Sequence, residues 1–158
     1  MRRRLTVGCG LGVAVLVVAM VPTAEAIKLR DWNGRVKGDP DSFVSFNVAK
    51  SDSGVKRVRD VVAGGLAITC DGGIEDEADG VFLEGKFRVR HREFGGRTDA
   101  TIGGLDPPAT FKGRLKRGKR AVGTIRLRGE LDPIEHPGVN CRTGRLEWRA
   151  KKSPPLLP

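Results

Sequence analysis

Apolar and polar residues alternate along most of this chain, and the alternation has a period of two. In the first clear case, Val44, Phe46 and Val48 would share one face, and Ser45 and Asn47 would share the other. Successive side chains of a β-strand point to opposite faces, so this pattern predicts a strand with one buried face. No stretch of about 12 residues supports a helical period without meeting Gly or Pro. The sequence therefore predicts an all-β protein.

The same alternation recurs at intervals, and turn-forming residues separate the segments. Further strands are predicted at 55–62, 66–70, 87–92, 111–116, 121–128 and 145–150. Turns are predicted at Asn33–Gly34, 50–54 and 116–119. About eight short strands with one wet face are typical of an antiparallel β-sandwich or jelly roll, which is the predicted fold. A closed β-barrel is the alternative.

The N-terminus has the composition of an export signal. Three arginines follow Met1, and the run from Leu5 to Val21 is apolar and carries no charge. Ala24 and Ala26 then fit the small-x-small cleavage pattern, so we expect cleavage after Ala26.

The expected product is a single all-β domain over residues 27–150 with a flexible tail over 151–158. It would be secreted, with a periplasmic location as the alternative. If residues 5–21 were not removed, the product would be membrane-anchored, because that run is at the lower limit for crossing a bilayer. No transmembrane segment is predicted in the mature chain.

Two cysteines remain after the expected cleavage, Cys70 and Cys141. Two cysteines in an exported domain are expected to pair. Closing a loop of about 71 residues would stabilise the fold by up to about 4 kcal/mol in the loop-entropy model. Because there is no Cys-x-x-Cys and neither histidine has zinc-ligand spacing, we predict a structural disulfide and no metal site.

Basic residues are concentrated in the second half of the chain. The whole chain carries 29 Lys and Arg against 19 Asp and Glu, a net charge of +10. Residues 27–80 have a net charge of −2, whereas residues 81–158 have a net charge of +10. Here the alternation puts cations on the face opposite the apolar side chains. The candidate anion-binding residues are Arg88, Arg90, Arg92, Lys112, Arg114, Lys116, Arg126, Arg128, Arg145 and Arg149.

A sheet face with so many cations is costly, because like charges directly opposite destabilise a sheet. We interpret it as a binding face for an anionic partner: a cell-wall phosphate polymer, an acidic polysaccharide, lipid headgroups or extracellular nucleic acid. The alternative is an ordinary solvated face whose arginines reflect codon bias in a GC-rich genome. Sequence-specific nucleic-acid binding is not expected, because there is no Tyr, and Phe and Trp are assigned to inner faces where bases cannot stack.

No catalytic function or cofactor is predicted. The chain contains no Gly-x-Ser-x-Gly and no His-Glu-x-x-His. A secreted hydrolase is the alternative, with histidine and carboxylate chemistry. Its candidate residues are His91, His136, Glu84, Glu93, Glu130, Glu135 and Glu147. Residues 75–86 begin like a calcium loop, with Glu75, Glu77 and Asp79, but Lys86 stands where a bidentate Glu is needed.

Trp32 precedes a series of motifs, which are Ser42–Phe46, Cys70, Phe111–Leu115, Ala121–Arg126, Cys141–Gly144 and Trp148–Ala150. Together these residues resemble a group of small exported all-β proteins common in high-GC Gram-positive bacteria, and the resemblance covers most of residues 42–150. In that group a Phe-x-Gly strand leads into a small-x-Gly-Thr strand, a Cys-x-Thr-Gly turn and a Trp-x-Ala strand. The resemblance implies an exported all-β fold. It carries over no catalytic residue, since no activity is assigned to the group.

Overall fold

A computed structural model describes residues 29–132 and 134–154. The predicted export signal and the last four residues of the predicted tail lie outside the described residues. Within them the chain forms twelve strands and no helix that is long and apolar enough to cross a membrane. The strands are β1 Asp31–Val36, β2 Phe43–Lys50, β3 Lys56–Gly64, β4 Leu66–Cys70, β5 Glu75–Ala78, β6 Val81–Leu83, β7 Phe87–Arg88, β8 Glu93–Thr101, β9 Pro108–Lys116, β10 Arg120–Glu130, β11 Asn140–Arg142 and β12 Leu146–Lys152.

Eight of the strands form a closed antiparallel barrel in the order β12–β1–β2–β3–β6–β8–β9–β10. The barrel closes because β10 pairs with β9 on one side and with β12 on the other, with Ala121 opposite both Leu115 and Ala150. The all-β, antiparallel prediction is confirmed. The predicted sandwich is wrong and the alternative barrel is observed, because a sandwich needs two sheets with free edges and this sheet pairs its own edges.

A smaller sheet continues from the end of β10 through β11 and β4 to β5. The chain passes from β3 into β4 at Gly65, which has a positive φ of 59°. Cys70 on β4 and Cys141 on β11 lie directly opposite each other and form a disulfide, as predicted. The disulfide therefore covalently links two strands that are far apart in the sequence.

The barrel interior is filled by side chains, as expected for eight strands. An aromatic cluster occupies its centre, in which Phe46 contacts Trp32, Phe94, Phe111 and Trp148 with ring centroids 5.6 to 6.2 Å apart. The predicted inner positions of four strands are confirmed by burial. They include Val44, Phe46, Val48, Phe111, Ala121, Ile125, Leu127, Trp148 and Ala150.

Two glycines make room for this cluster. Gly113 on β9 lies directly opposite Gly123 on β10, and the next residues along the same row are Phe94 on β8 and Trp148 on β12. A Cβ at Gly123 would overlap the Trp148 ring and the carbonyl oxygen of Lys112. The tryptophan therefore packs directly on glycine backbone.

Two local sequence predictions are wrong, and one strand was not predicted. Residues 87–92 do not form one strand, because His91 and Arg92 have φ values of 47° and 70° and make a tight turn between Arg90 and Glu93. Asn33–Gly34 lies inside β1 rather than in a turn. Strand β8 was not predicted, since its two consecutive glycines interrupt the alternation.

Candidate anion-binding surface

The outer face of the β9–β10 hairpin carries a row of cations along each strand. Inner positions of both strands hold buried apolar residues, so the intervening residues point away from the barrel. The outward cations are Lys112, Arg114 and Lys116 on β9 and Arg120, Arg126 and Arg128 on β10. We call this face, with the flanking outer faces of β8, β12 and β1, the basic wall. All ten predicted anion-binding residues are exposed.

A depression of about 590 Å³ lies beside the His91–Arg92 turn. We call it the central depression, and five predicted residues line it: Arg88, Arg90, Lys112, Arg114 and Arg145. Glu93 is the carboxylate in its lining, and it already pairs with Arg114 at 3.5 Å. Four of the five cations thus remain available to a ligand.

A second depression of about 590 Å³, the distal depression, lies further along the hairpin. Arg97, Arg126 and Arg128 line it together with Asp99. It brings Arg97 of β8 next to the two predicted cations of β10, because Arg97 and Arg126 flank Thr110 in the sheet register.

A third depression, of about 970 Å³, lies across the strands that close the barrel. We call it the closure groove. Its lining contains six cations and no carboxylate: Arg35, Lys37, Lys116, Arg120, Arg149 and Lys151. Arg35 comes from β1 and Lys37 directly follows it, and both belong to the half of the chain with a net negative charge. Barrel closure brings them beside the basic strands.

Cations in the closure groove face one another directly across strands. Arg120 lies opposite Lys116 on one side and Lys151 on the other. Arg35 lies opposite Arg149. Among the described residues, the ion pair made by a groove cation is that of Lys37 with Glu147, at 3.5 Å between exposed side chains. Like charges in this arrangement destabilise the sheet, so the groove costs folding energy.

Replacing Arg120 by Gln should therefore stabilise the protein, because it removes the middle charge of three in a row. We expect the free energy of unfolding to rise by about 0.5 kcal/mol at low ionic strength, and less at high salt. Urea denaturation at two salt concentrations measures this change. Arg114→Gln is the matched control: Arg114 lies opposite Val122 and Glu93, so its removal should bring no gain. Destabilisation by Arg120→Gln would contradict the repulsion.

The structure places nine of the ten predicted residues in these three depressions, but it does not bring all of them into one. Arg88 and Arg114 share the central depression, whereas Arg126 lies in the distal one and Lys116 and Arg149 lie in the closure groove. Arg92 stands at the tip of its turn, outside all three. Its positive φ takes it out of the strand register on which the prediction depended.

Sequence reasoning missed five cations of the basic wall: Arg35, Lys37, Arg97, Arg120 and Lys151. A signal existed for the first, since Trp32, Gly34 and Val36 alternate with Asn33 and Arg35. The Asn-Gly pair was interpreted as a turn and concealed that alternation. The sequence also gave no indication that Arg35 and Lys37, which are near the N-terminus, would lie beside the cations of the C-terminal half.

Two phenylalanines are exposed, contrary to the prediction that all aromatic residues face inward. Phe43 on β2 is 44% exposed and Phe82 on β6 is 54% exposed. Both strands flank β3, which is four strands from β10 in either direction around the barrel. β2 also neighbours β1, so Phe43 lies one strand from the basic wall, and Phe94 lines the central depression but is only 6% exposed. Among the described residues the basic wall itself therefore offers a ligand no exposed aromatic ring.

The candidate catalytic residues are dispersed. His91 is exposed in its turn at the rim of the central depression. Three of the candidate carboxylates have different partners: Glu84 accepts a hydrogen bond from Thr101, Glu130 accepts one from the Gly138 N–H, and Glu147 pairs with Lys37. The structure therefore does not assemble these carboxylates into one site.

The segment 75–86, which begins like a calcium loop in sequence, starts with strand β5. Because residues alternate in a strand, Asp76 points the opposite way from Glu75 and Glu77 and reaches His136, with 3.1 Å between Oδ2 and Nε2. Asp132 and Glu135 complete a group whose ligand atoms lie within 4.8 Å of one another. Imidazole and carboxylate groups could hold a divalent cation. Hydrogen bonds already hold three of them: His136 with Asp76, and Asp132, whose Oδ1 accepts from the backbone N–H groups of Ile134 and Glu135.

The chain matches no protein-family model, no curated protein and no solved structure. The functional conclusion therefore depends on the geometry and charge of the basic wall.

Proposed function

We propose that this chain is an exported, non-catalytic domain that binds anionic polymers or surfaces through its basic wall. The observation that carries the proposal is the closure groove, in which six cations line one depression without a carboxylate. Three pairs of cations lie opposite each other across neighbouring strands there. These opposed cations destabilise the sheet. An anionic ligand that neutralises them when it binds would explain why the chain carries them.

The chemistry of the lining residues supports a phosphate or carboxylate ligand. Arginine presents a planar fork of donors that matches both groups, and most of the cations in the groove and the central depression are arginines. The side chains are exposed, so the binding is expected to be weak for each contact and strongly dependent on salt. These properties suit a repeating polyanion better than a small molecule, which needs an enclosed pocket.

Export is supported by the disulfide, because such bonds persist in oxidising compartments. It is also supported by the composition of the first 26 residues. An extracellular location would expose the basic wall to the anionic polymers of a cell surface.

Retention on an anionic polymer column tests the proposal. The variant Arg120→Gln with Lys151→Gln removes one opposed pair from the groove. It should elute at lower salt than the wild type, and the slope of log retention against log salt should fall by about 1.4 for two lost contacts. Far-UV circular dichroism confirms that the variant is folded.

The matched control is Lys50→Gln with Lys56→Gln, which also removes two cations that lie opposite each other. These residues are at the β2–β3 hairpin and line none of the three depressions. The control should elute close to the wild type. Equal losses in the two variants would mean that net charge alone governs retention. Elution of the groove variant with the wild type would contradict binding at this site.

A further inference from the structure

The closure groove and the central depression meet. Val122 on β10 lines both of them. In the sheet register it lies between Arg149 of β12 and Arg114 of β9, and this row continues to Arg35 on β1 and to Glu93 on β8. The row crosses five neighbouring strands of the barrel, which corresponds to about 19 Å at about 4.8 Å per strand.

Cations flank this row on both sides. Lys116, Arg120 and Lys151 form a parallel row on one side, and the lining cations of the central depression lie on the other. The two depressions together hold eleven cations, and Glu93 is the carboxylate in their lining. Since Arg114 already pairs with Glu93, the negative charge there is compensated.

We propose that the two depressions form one continuous track, and that its ligand is a linear chain of phosphate groups without bases. This inference rests on the proposed function and specifies its ligand. The shared chemistry is found in inorganic polyphosphate and in polyol-phosphate polymers. We call the closure groove together with the central depression the phosphate track, or simply the track.

Charge density favours a phosphate chain. Neighbouring cations in the row Lys151–Arg120–Lys116 are about 5 Å apart at the backbone, so a ligand must carry charges about as closely spaced to neutralise each one. A single small anion can contact two or three of the cations and leaves the others facing one another. A polysaccharide with one carboxylate on every second sugar would also leave cations uncompensated.

The shape and composition of the wall argue against two other polyanions. A single-stranded nucleic acid gains much of its affinity from successive bases stacked on aromatic rings. Phe82 lies on β6, outside the track, and Phe43 on β2 is a single exposed ring beside β1 at the edge of the track. Successive bases would therefore find no row of rings along the track. A flat lipid surface would touch a convex barrel wall along part of the track, whereas a flexible chain can follow all five strands.

Binding titrations with five probes test the assignment. The probes are long inorganic polyphosphate, tripolyphosphate, poly(glycerol phosphate), an oligothymidylate with the same number of phosphates, and vesicles that contain an anionic phospholipid. At equal phosphate concentration, long polyphosphate should bind about 100-fold more tightly than tripolyphosphate, because it fills the whole track. The polymer that binds more tightly, long polyphosphate or poly(glycerol phosphate), identifies which of the two sources supplies the ligand.

Two double variants test continuity. Arg35→Gln with Arg149→Gln removes charge from the closure groove, and Arg88→Gln with Arg90→Gln removes it from the central depression. Each should weaken binding of long polyphosphate about tenfold, which is about 1.4 kcal/mol. The control Lys50→Gln with Lys56→Gln should change it less than twofold.

Each outcome decides between the alternatives. Equal affinity for tripolyphosphate and long polyphosphate would overturn the track and indicate a local anion site. Equal or tighter binding of the oligothymidylate or the vesicles would overturn the choice of ligand. If one double variant binds as the wild type does, the track is not continuous. In these cases the proposed function survives. Failure of the wild type to bind any of the five probes would overturn both proposals.

Discussion

Replacing Gly123 by alanine is expected to lower the free energy of unfolding by about 3 kcal/mol. The added methyl group would overlap both the Trp148 ring and the carbonyl oxygen of Lys112, and one of these is rigid backbone in the neighbouring strand. The tryptophan cannot easily retreat, since it also packs against Phe46 and Phe111. Urea denaturation followed by tryptophan fluorescence measures the loss, because both tryptophans are buried in the folded state.

Gly96→Ala is the matched control for this prediction. Gly96 lies in barrel strand β8, and a Cβ built there meets no atom within 4 Å. Its φ is not positive, so alanine should be accepted with a change within about 0.5 kcal/mol. Similar losses in the two variants would show that any strand glycine is sensitive. A neutral Gly123→Ala would contradict the direct packing of Trp148 on the glycine backbone.

Removal of the disulfide is expected to have a comparable effect. In the variant Cys70→Ser with Cys141→Ser, the free energy of unfolding should fall by up to about 4 kcal/mol, because the unfolded chain regains the freedom of a loop of 71 residues. The two half-cystines are also buried between β4 and β11, so the loss should first loosen the small sheet. Thermal and urea denaturation of the variant and the wild type measure the difference.

Reduced wild-type protein provides the control, and its stability should match that of the double variant. Addition of a reductant should leave the variant itself unchanged. Labelling of two thiols in native protein before any reduction would contradict the disulfide. A loss below about 1 kcal/mol would show that the bond contributes little beyond the packing of the two strands.

Alternation in the sequence is sufficient to predict which side chains face the core in the regular strands. In β9 and β10 the inner residues Phe111 and Ile125 and the outer residues Lys112 and Arg126 were assigned from the pattern alone, and their burial confirms the assignment. The assignment succeeds because successive side chains of a strand point to opposite faces, so the odd and even positions alone decide which face each residue occupies. Where glycine or a positive φ breaks the alternation, as at Gly95 and His91, the prediction fails.

The candidate binding surface was predictable to the same extent. The pattern assigned the cations of β9 and β10 to an outer face, and the structure places them there. It could not show that Arg35 lies opposite Arg149, since the two residues come from opposite ends of the domain. The closure groove depends on that pairing and on the contact of β12 with β10.

The sequence by itself determined that the chain forms β-strands, that the cations of its regular strands point away from the apolar core and that Cys70 and Cys141 have each other as partners. Only the tertiary structure decided that the strands close into a barrel, that β1 joins the basic strands and that the cations fall into three depressions. The physical reason is one of range. The direction of a side chain follows from its neighbours in the same strand, whereas strand pairing is chosen by the packing of the whole core.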